Sequence, residues 1–169
     1  MIRRLLPVFL ILIICCGAAA CGSVETISSS VAREPVSLYT LQTSMLEAGK
    51  SLPDMTTVSS SNDNAEDLFS YLSDFDYDKV DGYFLAYSSE GLADEIAVVR
   101  LKSKSDIAGM IATLEDHVDG RRKLYESYQP DQVNRVENAL VFSQDNYAVL
   151  IIGNDQQVIK AAFEEIINK

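Results

Sequence analysis

The stretch "GYFLAYSSEGLADEIAVVRLK", Gly82 to Lys102, reads as two strands joined by a short loop. Its first part alternates, with Tyr83, Leu85 and Tyr87 on one face and Phe84 and Ala86 on the other. Its last part sets Ile96 and Val98 against Ala97, Val99 and Leu101. Both runs have the period of two and the aromatic and β-branched content of strands. The Gly-containing loop "SEGLA" between them predicts an antiparallel hairpin.

Downstream the pattern repeats with a helix interposed. Ser105 or Asp106 opens a long helix with a stripe of Ile107, Met110, Ile111, Leu114 and Val118, fading near Tyr125 before Pro130. A second hairpin follows, "ALVFS" and "YAVLIIG" around "QDN", and both strands read as apolar enough to be central. Asn154 or Asp155 then caps a closing helix, with Gln157 at the reciprocal position. Its apolar face is Val158, Ile159, Ala162, Phe163, Ile166 and Ile167.

Upstream, Ser37 caps a helix carrying Leu38, Leu41, Met45 and Leu46, and Gly49 stops it. "DMTTVSS" admits a fifth, short strand. "NAEDLFSYL" predicts a short helix with Asn62 or Asp63 as cap and Leu68, Phe69 and Leu72 inward. Hairpins joined through a helix predict the α+β class: a mostly antiparallel sheet packed with helices in a two-layer sandwich.

The N-terminal segment predicts an address. Arg3 and Arg4 precede an apolar run over positions 5–20, which is shorter than the ~20 residues that span a bilayer. A positive start, an apolar middle and a small-residue exit are the layout of a secretory leader. Ala18, Ala19 and Ala20 before Cys21, with Gly22 and Ser23 after it, resemble a bacterial lipobox. That resemblance implies cleavage between Ala20 and Cys21 and a diacylglyceryl group on the Cys21 sulfur; Ala18 departs from the commoner Leu. Ordinary cleavage that leaves a free Cys21 thiol is the competing reading. All three cysteines (15, 16 and 21) lie here, so a processed chain has one cysteine and no internal disulfide. Two acyl chains suffice for stable anchoring.

The expected organisation is a leader over 1–20, lipidated Cys21 with a Ser-rich flexible tether over 21–36, and one domain over 37–169. Losing Arg3 and Arg4 takes the net charge from −11 to −13. So acidic a surface argues against nucleic-acid partners.

The stretches "DEIAVVRLKS", before a long helix, and "YQPDQVNRVENALVFSQDNYAVLIIGND", with Tyr128, Pro130 and Tyr147, resemble the bacterial extracytoplasmic lipoproteins that carry domain of unknown function 4358. The resemblance runs from about Ser37 to the C-terminus and implies a small lipid-anchored envelope protein. It implies no activity and no catalytic residue. Asn146 departs from it, standing where Gly is expected before Tyr147; either residue tolerates positive φ.

Few residues point to chemistry. Asp74, Asp76, Asp78 and Asp81 in "SDFDYDKVDGYF" have the 1-3-5 spacing of a calcium loop. Counted from Asp74, position 6 is Lys79 rather than Gly and position 12 is Leu85 rather than Glu. Turn capping and solvation therefore explain them better, and they remain a weak metal candidate. His117, the single histidine, is expected at a helix boundary or surface. Arg121, Arg122 and Lys123 read as local ion pairs, with Asp119 and Glu126 four residues from Lys123 and Arg122. Tyr39, Tyr71, Tyr77, Tyr83, Tyr87, Tyr125, Tyr128 and Tyr147 read as core and rim packing. There is no phosphate loop, Gly-x-Ser-x-Gly or His-Glu-x-x-His motif, and no cofactor is expected.

The sequence therefore supports a lipid-anchored protein on the extracytoplasmic face of the cell membrane, a non-enzymatic binding or adaptor module for an envelope protein. The alternatives are a small-ligand or ion receptor, which a pocket lined by Tyr83 or Tyr87 would favour, and an envelope hydrolase.

Overall fold

The computed structural model describes residues 35–169; the leader, Cys21 and all but the last residues of the tether lie outside the described residues. The order is α1 (Leu38–Ala48), β1 (Met55–Ser59), α2 (Ala65–Phe69), β2 (Val80–Ser88), β3 (Glu95–Leu101), α3 (Ile107–Tyr128), α4 (Val133–Glu137), β4 (Leu140–Gln144), β5 (Tyr147–Ile152) and α5 (Gln156–Ile167). The strands form one sheet in the order β1-β2-β3-β5-β4, and every neighbouring pair is antiparallel. The α+β class, both hairpins and the fifth strand are therefore present. Tyr83 faces Val99 across the first hairpin, and Val98 faces Val149 where the hairpins join.

Of the two final strands, only β5 is central. Each of its residues is buried, whereas β4 lies at the sheet edge and is half-exposed. Two apolar runs around one turn look alike in sequence. Which of them meets β3 is decided by packing between distant residues.

The sheet is covered on both faces, so the layering is helix–sheet–helix rather than the expected two layers. On one face Tyr83, Leu85, Ala97, Val99 and Leu150 pack against Phe69, Met110, Leu114 and Val136 from α2, α3 and α4. On the other, Phe84, Ile96, Val98, Val149 and Ile151 pack against Leu41 and Met45 of α1 and Ile159, Phe163 and Ile167 of α5. The near-continuous apolar runs of β3 and β5 are what burial on both faces demands. Fully burying one such side chain contributes about 1.5–3 kcal/mol.

Several ends close differently from the expectation. Asp155 is the N-cap of α5, but its carboxylate accepts no N–H of the helix and accepts Ser51 N–H at 2.6 Å instead. This bond ties the loop after α1 to the start of α5 and holds the Asp155 carboxyl below its usual range. Val158 is exposed, outside the helix's buried face. In the β4–β5 turn the positive φ falls on Asp145, at 54°, and not on Asn146. Asn146 is instead bonded to β3: its amide Nδ2 donates to Leu101 O at 2.6 Å, and its carbonyl accepts Leu101 N–H.

At the start of the domain Arg100 of β3 donates to the Val36 carbonyl at 2.7 Å and to Asp81 at 2.5 Å. Burial works against its charge, but bonds with Tyr147 and Asp81 outweigh that and raise its pKa. No described helix is long and apolar enough to cross a membrane.

Candidate functional site

The first hairpin turns through a six-residue loop, 89–94, whose geometry builds a cleft. Ser88 Oγ accepts the N–H groups of Glu90 and Leu92, and Gly91 adopts a φ of 77°. The loop lies beside α3, where Tyr125 donates its hydroxyl proton to Gly91 O at 3.1 Å. Between the loop, β1, α2 and α3 is a cavity of about 570 Å³. Val58, Leu68, Leu85 and the rings of Tyr71 and Tyr87 form its apolar walls. Glu95 and Arg121 supply its charge and His117 a ring nitrogen.

Glu95 is the first residue of β3 and points to the α3 side of the sheet, as Ala97, Val99 and Leu101 do. It is 3% exposed. A carboxylate there needs partners, because an unpaired buried charge costs several kcal/mol. His117 and Arg121 are those partners. His117 Nε2 is 2.7 Å from Glu95 Oε1, and Arg121 Nε is 3.2 Å from Oε2. The second pair is electrostatic: Arg121 Nε is buried and lacks hydrogen-bond alignment within the described residues.

His117, Arg121 and Tyr125 are four residues apart in α3, so they share one stripe of the helix. Arg121 Nη2 donates to Tyr125 Oη at 3.2 Å, and the guanidinium lies 5.0 Å from the tyrosine ring centre. Burial raises the Tyr125 pKa, with Arg121 opposing it. The phenol therefore stays protonated and able to hold the loop.

A second buried carboxylate braces the same corner. Asp94 is wholly buried and paired with Arg135 of α4, while Gln132 Oε1 accepts Ala93 N–H at 3.3 Å. These contacts fix the loop to α4 and so position Glu95.

The expected site residues separate into those gathered here and those left outside. His117 is half-buried at the helix boundary, as expected, with its Nε2 on the Glu95 carboxylate. The basic run divides: Arg121 turns inward to Glu95, while Arg122 pairs with Glu126 at 2.5 Å, as its spacing suggested, and Asp119 lies 3.9 Å from Arg122 rather than against Lys123. Lys123 is exposed. Tyr71, Tyr87 and Tyr125 line the cleft. Tyr83 does not; it is buried against Phe69 and Tyr77 and donates to Ala65 O at 2.6 Å.

The aspartates do not converge. Asp76 caps a turn by accepting Asp78 N–H, the Asp78 carbonyl accepts Lys102 Nζ, and Asp81 pairs with Arg100. Asp74 is exposed. Among the described residues no group of three or more His, Cys, Asp or Glu is placed to hold a metal ion. Cys21 and Ala20 lie outside the described residues.

Glu95 is the site residue that sequence reading missed. The signal was present: one acid begins an otherwise apolar inward face. Its partners lie 22 and 26 positions further on, a separation at which no local pattern points to them.

The sequence model of the family described as "Domain of unknown function (DUF4358)" matches residues 53–153, more than half of the chain. No curated protein and no solved structure matches it.

Proposed function

The chain belongs to the DUF4358 family, and from that premise we propose that it is a binding module, non-enzymatic, whose small ligand occupies the cleft between the first hairpin loop and α3. The observation that carries this reading is the union of apolar walls with a braced, buried charge cluster in a cavity of about 570 Å³. That size and mixture suit a small-molecule site. Tyr87, though not Tyr83, lines the cleft beside convergent polar groups, which supports a ligand receptor over a pure adaptor.

The module is held to the extracytoplasmic face of the cell membrane through a diacylglyceryl group on Cys21. The lipobox-like sequence and the concentration of all cysteines before residue 22 support this.

Two measurements test the two halves. Thermal-shift screening of the domain against small acids, amines, peptides and glycans is expected to find ligands that raise the melting temperature. A screen without any such ligand overturns the receptor reading. Mass spectrometry of the N-terminus of the protein from native membranes is expected to show a lipidated Cys21. An intact Met1, or a processed end without acyl chains, overturns the anchor.

A further inference from the structure

We propose that the ligand of this cleft is an amphiphile with a single anionic head group, carboxylate or phosphate, whose head meets Arg121 and whose apolar body lies along Val58, Leu68 and Leu85. This deepens the receptor reading and rests on it. The sign of the charge follows from which polar atoms remain available. Both oxygens of Glu95 are engaged, one by His117 Nε2 and the other by Arg121 Nε. A cationic ligand would have to compete with both for a carboxylate that is only 3% exposed.

Arg121 has the opposite balance. A guanidinium carries five N–H donors. Here Nε faces Glu95 and one Nη2 hydrogen goes to Tyr125. Among the described residues no partner is placed on Nη1. A carboxylate or phosphate can take two of these donors at once, which is the strongest form of such a contact. Glu95 and Arg121 cancel each other's charge, so an anion meets no net negative charge in the cluster despite the acidic surface. Beyond the head, Val58, Leu68, Leu85 and the rings of Tyr71 and Tyr87 offer no charge. A body that is apolar or aromatic is what they would desolvate.

Calorimetric titration of the 35–169 domain with decanoate, decyl phosphate, decanamide and decylamine, each below micelle formation, tests the assignment. Decanoate or decyl phosphate is expected to bind at least tenfold more tightly than decanamide and decylamine. Which of the two anions binds better tells a planar head from a tetrahedral one. The double variant Glu95→Gln/Arg121→Gln removes both charges together, so neither is left buried alone. It is expected to reduce the anion preference below threefold.

Equal binding of decanamide, tighter binding of decylamine, or an anion preference that survives in the folded double variant overturns the head-group assignment and leaves the receptor reading standing. Silence of all four probes while the broader screen finds a ligand has the same meaning. Silence of both overturns the two together.

Discussion

A glutamate at the inward face of a strand is tolerated only when its partners arrive from elsewhere in the chain. Glu95 has them in His117 and Arg121, which meet its two carboxylate oxygens. Glu95→Ala would leave Arg121 half-buried beside apolar walls. The expected loss is about 1–3 kcal/mol of stability, the range for stranding a buried hydrogen-bonding group. Denaturant unfolding of the two proteins measures it. Glu95→Gln, which keeps the shape, is expected to lose less.

Tyr83 supplies a residue whose effect is read in alkali. Its ordinary pKa of 10.0 is pushed up to about 12, by burial first and then by Tyr77. The folded state thus prefers the neutral phenol more than the unfolded state does. That preference contributes fully below pH 10 and is lost as pH rises through 12. Stability of the wild type is expected to fall across this window. Tyr83→Phe is expected to fall less steeply, with the remaining slope due to Tyr77 and Tyr125, whose pKa values burial also raises. At neutral pH the variant should be less stable by about 1 kcal/mol, for the bond to Ala65 O. Urea titrations at pH 8 and pH 11 separate the two effects.

At the scale of the element, the β2–β3 loop carries the site because Ser88, Tyr125 and Gln132 hold its backbone. Gly91 has a φ of 77°, and an added Cβ would meet no atom within 4 Å. Gly91→Ala is therefore a test of conformation alone. The expected cost is about 1–2 kcal/mol for a left-handed L-residue. Calorimetric unfolding reads that cost. Because Gly91 O accepts Tyr125, displaced loop backbone should also weaken binding in the cleft.

The elements themselves were legible where the pattern was local. The alternation in Tyr83–Tyr87 and Ile96–Leu101 specified the first hairpin, and the stripe from Ile107 to Val118 specified α3. The short α4 was missed: Val133 to Glu137 is one turn and a half, too brief for a period to show. The edge position of β4 was missed because "ALVFS" is as apolar as a central strand. The cleft was legible only in parts. His117 and Arg121 could be singled out, but their meeting with Glu95 depends on α3 crossing the sheet.

At the scale of the whole molecule, the family match over residues 53–153 contains all five strands but stops before α5 and begins after α1. It therefore holds one complete core and half of the other. A fragment of 53–153 would expose Phe84, Ile96, Val98, Val149 and Ile151, which α1 and α5 otherwise cover. That is an apolar sheet face without a lid, and such faces drive association. The fragment is expected to aggregate or remain unfolded, while 35–169 is expected to be monodisperse and to unfold cooperatively. Size-exclusion chromatography with light scattering distinguishes them.

The covering of that face by α1 and α5 also imposes a timetable. The first of these helices is synthesised near the start of the domain and the second at its end, and they pack side by side. A ribosome delivers α1 long before its companion exists. Until the final dozen residues emerge, the nascent polypeptide lacks a seam that only they can close. The domain is therefore expected to complete its fold only after α5 has emerged.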